Sequence, residues 1–185
     1  MINKMDDVIL VPLAEEHLEM VRAWRNSPEI GQYMFTYQHI SAEDQVAWFN
    51  RIKEDSTQKH FVVEYGDKFL GVASLSNIDR RHDQCVWGFY LAEQSVRGAG
   101  IGSKMLFRLA DHAFREFGLH KLYGEVLATN QRALATHRKF GFHREGYLRD
   151  HIKKDEVYID TVVFGLLRKD WQTGRPALFR EIYER

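Results

Sequence analysis

The stretch Gln94-Ser95-Val96-Arg97-Gly98-Ala99-Gly100-Ile101-Gly102-Ser103-Lys104-Met105 decides how the rest of the chain is read. Ahead of it, Cys85-Val86-Trp87-Gly88-Phe89-Tyr90-Leu91 is an apolar run of strand length. Behind it, Met105, Leu106, Leu109, Ala110, Ala113, Phe114 and Phe117 recur at helical spacing. Strand, glycine loop and helix therefore follow one another. Gly98, Gly100 and Gly102 allow consecutive backbone N–H groups to turn inward at a helix N-terminus, where the helix dipole adds positive potential, and Arg97 adds a cation. Such a loop binds phosphate, the alternative being a glycine-rich turn with no ligand.

Spacing argues against two familiar phosphate ligands. A mononucleotide loop requires Gly-Lys-Ser/Thr, whereas Gly102 is followed by Ser103. A dinucleotide loop requires G-x-G-x-x-G against an early strand, but this one reads G-x-G-x-G, lies mid-chain and is separated from its strand by residues 92–96.

The chain has 185 residues, which is the size of one domain with a substantial core (1–185). Lysine plus arginine number 26 and aspartate plus glutamate also 26, with no long run of either sign. A dedicated nucleic-acid or membrane-surface protein is not expected from that balance. Cys85 is the sole cysteine, so neither a disulfide framework nor a thiolate metal cluster is available, and no metal is expected. The first seven residues lack an apolar signal core and no apolar run is long enough to span a bilayer, so a cytoplasmic protein is expected.

In order, the pattern predicts a strand over 8–13, a helix over 15–25, a short helix opened by Ser27-Pro28, and a further helix whose Ser41-x-x-Asp44 start reads as a capping box. Between the last two lies an aromatic segment, Tyr33-Met34-Phe35-Thr36-Tyr37, which suits either packing or the lining of a cleft. Strands over 60–65 and 68–77 join through Gly66-Asp67 as a hairpin, a charged connection spans 78–83, and the Cys85 strand completes a meander. After the glycine loop and its helix come a strand over 121–127, a helix over 131–140 closed by Gly141, a hairpin of strands over 142–151 and 156–167, and a short C-terminal tail over 175–185, with a helix as one reading of it.

Two segments carry a resemblance to a family. Arg97-x-x-Gly100-x-Gly102 resembles the pyrophosphate-binding motif of the GNAT superfamily of acetyl-CoA-dependent N-acetyltransferases. Asn130-x-x-Ala133-x-x-x-His137-x-Lys139-x-Gly141-Phe142 is similar to a second signature of that superfamily, with His137 where a tyrosine usually stands. The element order agrees along essentially the whole chain. The resemblance implies an α/β (α+β) GNAT fold: one mixed, mostly antiparallel sheet with helices on both faces and a strand pair splayed at the acetyl-CoA site. It implies that Tyr90, Leu91, Arg97, Gly98, Ala99, Gly100, Ile101, Gly102, Ser103, Asn130, Ala133 and Lys139 hold the coenzyme.

Amine acetylation needs a neutral amine, donors for a developing oxyanion and a proton for the departing thiolate. By the same resemblance, Glu125 takes the amine's proton, the alternative being an ordinary strand carboxylate, and His137 protonates the thiolate as an imidazolium, the alternative being water. The block from Trp24 to Phe49 resembles acetyltransferases of pseudaminic acid biosynthesis, which act on the 4-amino group of UDP-4-amino-4,6-dideoxy-N-acetyl-β-L-altrosamine. Arg25 would then pair with a diphosphate, Trp48 or Phe35 stack on uracil, and Met34 hold the sugar's methyl face. Alternatives are an acetyltransferase of protein N-termini or polyamines, a noncatalytic coenzyme sensor and a peptide-binding module. A homodimer is left open.

Overall fold

The computed structural model describes residues 7–184 apart from Gln94, Ser95 and Arg97, so the coenzyme contact expected of Arg97 and most of the N-terminal reading lie outside the described residues. Seven strands form one sheet in the order β1-β2-β3-β4-β5-β7-β6. They are β1 Val8–Pro12, β2 Lys59–Tyr65, β3 Lys68–Asp79, β4 Gln84–Leu91, β5 Lys121–Leu127, β6 His143–Lys154 and β7 Val157–Leu167. All neighbours are antiparallel except β4 and β5, which run parallel and so need the crossover that the glycine loop and its helix supply.

The helices are α1 Leu18–Asn26, α2 Pro28–Gly31, α3 Ala42–Lys53, α4 Ile101–Asp111, α5 Gln131–Lys139 and α6 Arg168–Tyr183. Alternation along the strands sends side chains to two faces. Val63, Ala73, Leu75, Cys85 and Trp87 join the large core built with Met105, Leu106, Phe107 and Leu109 of α4, Leu134 of α5, and Trp171 and Leu178 of α6. Val62, Val72 and Tyr90 face the other way, against Val21 and Trp24 of α1. Helices therefore cover both faces, as expected. No helix among the described residues is long and apolar enough to cross a membrane.

Local chemistry explains several boundaries. Ser41 Oγ accepts from Asp44 N–H at 3.0 Å while the Asp44 carboxylate accepts from Ser41 N–H at 3.3 Å, the reciprocal box read from the sequence. Gly100 caps α4 at φ 81°, a left-handed conformation that glycine adopts without strain. The predicted charged connection is shorter than expected, because β3 continues to Asp79 and pairs with Gln84. The C-terminal tail is helical, and longer than expected: the 16-residue helix α6 starts at Arg168. Its Trp171, 1% exposed, donates to Asp111 Oδ1 at 3.0 Å, and Arg175 grips the same carboxylate at 2.7 and 2.6 Å. Gly174 and Pro176 inside α6 disfavour helix locally, but docking onto α4 outweighs that preference.

Candidate active site

Strands β4 and β5 pair only from Gln84↔Lys121 to Val86↔Tyr123 and then part. The opening starts where the Trp87 indole lies over Gly124, at which a Cβ would come within 2.9 Å of the ring. Beyond it, backbone groups on the facing edges of β4 and β5 lack ladder partners from each other, which is the splay expected at Tyr90 and Leu91. A cavity of about 950 Å³ opens there. It is lined by Tyr90, Leu91, Gly98, Gly100, Ile101, Gly102, Ser103, Glu125, Asn130, Ala133 and His137, and also by Arg25, Met34, Phe35 and Trp48. Of the expected site residues within the described chain, only Ala99 and Lys139 are outside this lining. Lys139 ends α5 in an ion pair with Glu181 of α6 at 2.8 Å, which turns it to the C-terminal helix.

The glycine loop fits a phosphate ligand on geometry. A Cβ built at Gly98, Gly100 or Gly102 would meet no atom within 4 Å, so the backbone there faces open space. The first turn of α4 carries no acidic residue and presents N–H groups that no helix can satisfy internally. Asn130 spends its carbonyl oxygen on the N-cap of α5, accepting from Ala133 N–H at 3.1 Å, and retains its amide N–H₂ for the cavity it lines.

Glu125 is held by groups that the sequence did not announce. Thr161 of β7, fully buried, donates its hydroxyl to Glu125 Oε2 at 2.8 Å. His151 Nε2 stands 3.3 Å from the same oxygen. His151 reaches it because β6 bulges between Leu148 and Ile152, with Asp150 at φ 50° and its N–H donating to Asp160 Oδ1 at 2.7 Å. Only the period-2 alternation that places Thr161 on the β7 face of Glu125 could have hinted at the first contact; nothing in the sequence predicts the bulge.

The reading of His137 as an imidazolium donor requires correction. Its ring is 2% exposed, Nε2 accepts from the Trp87 indole N–H at 2.8 Å, and Nδ1 bonds the Ala133 carbonyl at 2.7 Å. Indole can only donate and carbonyl can only accept, so the neutral Nδ1–H tautomer is assigned by its partners. Burial lowers its pKa to about 4, although the Ala133 carbonyl acts in the other direction. Phe89, Phe142 and Phe164 complete an aromatic shell around it. Neither nitrogen has a proton to spare near neutrality, and the ring is a buried brace between β4 and α5.

Residues 7–143 match the acetyltransferase (GNAT) domain model. The chain belongs to the GNAT acetyltransferases. Acetyltransferase PseH of Campylobacter jejuni is 27% identical over 130 residues, covering 70% of this chain and 79% of that one. The spermidine N(1)-acetyltransferase of Vibrio cholerae is 26% identical over 132 residues, 71% of this chain and 76% of the relative. The crystal structure of spermidine N-acetyltransferase from Vibrio cholerae in complex with CoA and spermine superposes with a TM-score of 0.85 at 23% identity, covering 90% of this chain and 98% of that one. The protein is thus an acetyl-CoA-dependent acetyltransferase of GNAT fold.

Proposed function

We propose that the protein transfers acetyl to the 4-amino group of a UDP-linked amino-dideoxy sugar. The observation that carries this reading is Arg25. Its guanidinium lines the cavity, is partly desolvated, and donates only to Thr36 O and Oγ1, at 3.2 and 2.9 Å, with no carboxylate in ion-pair range among the described residues. An anionic group of the acceptor would complete it, and a diphosphate suits its fork of donors. Of the two carboxylates in the lining, Asp44 is committed to the Ser41 cap, which leaves Glu125 alone. A polyamine would find little negative charge there. The likeness to PseH supports the sugar reading; the likeness to spermidine acetyltransferases supports the polyamine alternative.

Acetyl-CoA supplies the acetyl group activated as a thioester. The loop Gly98–Ser103 and the α4 N-terminus would hold its pyrophosphate, and the open edges of β4 and β5 its pantetheine arm and carbonyl oxygen. Glu125, oriented by Thr161, accepts the proton released as the amine nitrogen bonds the acetyl carbon and the carbon–sulfur bond breaks. With His137 neutral and its ring nitrogens both engaged, water supplies the proton to the departing thiolate.

The test is thiol release with UDP-amino sugars, polyamines and N-terminal peptides as acceptors. The sugar should be turned over, UDP should compete with it, and Arg25→Ala should raise its KM with little effect on acetyl-CoA. Turnover of polyamines without inhibition by UDP would replace this reading with the polyamine one.

A further inference from the structure

Between α3 and the sheet, the cavity contains polar groups that acetyl transfer itself does not use. Strand register places His60 of β2 opposite Ser74 of β3 and Ser74 opposite Gly88 of β4, with Val62, Val72 and Tyr90 as the next row. Trp48 of α3 meets the His60 ring edge-on at 5.1 Å, and Gln45, only 4% exposed, lines the same cavity. Gly88 keeps the floor open, since a Cβ there would come within 2.9 Å of Ser74 Oγ. Two polar atoms on this side are buried without any hydrogen-bond partner: Gln45 Nε2 and the Tyr90 hydroxyl. Folded interiors rarely leave such groups unmet. Both residues line the cavity.

The surroundings select the ligand's chemistry. Burial keeps the His60 ring neutral, with its pKa lowered to about 4. Gln58 donates to Asp55 at 2.9 Å, so its carbonyl oxygen faces His60 Nε2–H at 3.0 Å and leaves Nδ1 as an acceptor. The row therefore offers an amide donor, a hydroxyl, an imidazole acceptor and an indole face. Gln45 Nε2 can only donate, so it calls for an acceptor rather than an ammonium, and the cation beside Tyr90, Arg25, is the one assigned above to the diphosphate. A planar, uncharged group bearing a carbonyl matches both the donors and the flat ring.

We propose that this recess is a recognition subsite for an uncharged amide or imide carbonyl of the acceptor, hydrogen-bonded by Gln45 and Tyr90. The inference rests on the nucleotide-sugar reading, whose acceptor has two such groups, the imide of its uracil and the acetamido group of its sugar. Calorimetry on the full chain separates them, with UDP, CDP, UDP-glucose and UDP-N-acetylglucosamine as probes against wild type and Gln45→Leu. If the base is read, Gln45→Leu weakens UDP at least tenfold and abolishes the preference for UDP over CDP. If the acetamido group is read, UDP is unaffected and the preference for UDP-N-acetylglucosamine over UDP-glucose is lost. In either case Gln45→Leu should melt no lower than wild type, because it removes an unmet buried polar group. Gln45→Met, closer in shape, repeats the measurement should leucine not be accommodated. Wild-type affinity for every probe in a folded Gln45 variant overturns the subsite while leaving the acceptor class standing. Failure of the wild-type protein to bind any probe overturns the acceptor class, and the subsite with it.

Discussion

At His137, burial rather than sequence position sets the chemistry. The folded pKa, about 4, lies below the ordinary 6.5, so between these values the unfolded chain binds a proton that the folded chain refuses. Stability is therefore complete above about pH 6.5 and falls as pH drops toward 4, with a limiting slope of about 1.4 kcal/mol per pH unit for a single group. His60, lowered to about 4 by burial as well, acts in the same window. His137→Gln keeps a donor and an acceptor for Ala133 and Trp87 but cannot titrate, so urea unfolding from pH 4.5 to 7.5 should show a shallower acid decline. An unchanged decline would mean that His137 is not held neutral. Thr161 supplies the second residue-level outcome. Losing its hydroxyl bond to Glu125 should lower kcat roughly tenfold, the equivalent of about 1.4 kcal/mol, without altering acetyl-CoA affinity. Thr161→Val tests the loss and Thr161→Ser should restore the rate; equal rates in all three proteins would detach Thr161 from catalysis.

The β4–loop–α4 unit was legible because its signals are local: an apolar strand, glycines that must adopt left-handed geometry, and a helical stripe. Gly100 sits at φ 81°, where a β-branched side chain strains the backbone and projects into the space that faces the ligand. Gly100→Val should weaken acetyl-CoA binding at least tenfold, about 1.4 kcal/mol, by calorimetry. Unchanged affinity in the folded variant would remove the loop from coenzyme binding. The element whose length and docking the sequence left open, α6, has its signals elsewhere in the chain. Its Trp171 and Arg175 converge on Asp111, and Tyr183 donates to Asp7 Oδ1 at 2.8 Å, contacts that span 60 to 176 positions. Only the folded core reveals them.

Across the molecule, the part of the cavity lined by the aromatic segment is held by residues far apart in the chain. Lys154, at the tip of the β6–β7 hairpin, donates to the carbonyls of Gly31, Gln32 and Met34 at 2.8, 2.9 and 3.0 Å, and Asp155 N–H donates to the Tyr37 hydroxyl at 2.6 Å. These bonds hold the aromatic segment that contributes Tyr33, Met34 and Phe35 to the lining. Lys154→Met should raise the acceptor KM several-fold while acetyl-CoA affinity stays at wild type; an unchanged KM in steady-state kinetics would show that the segment holds its place without the hairpin. The sequence by itself determined the order of elements, the capping box at Ser41 and the glycine loop ahead of its helix, because periodicity and turn chemistry are carried by neighbours along the chain. Only the tertiary structure decided that His137 is neutral, that Thr161 and His151 reach Glu125, that Lys154 anchors the aromatic segment and that α6 docks on α4. Desolvation and hydrogen-bond partnership depend on which distant side chains arrive at a point in space, and no local pattern encodes that arrival.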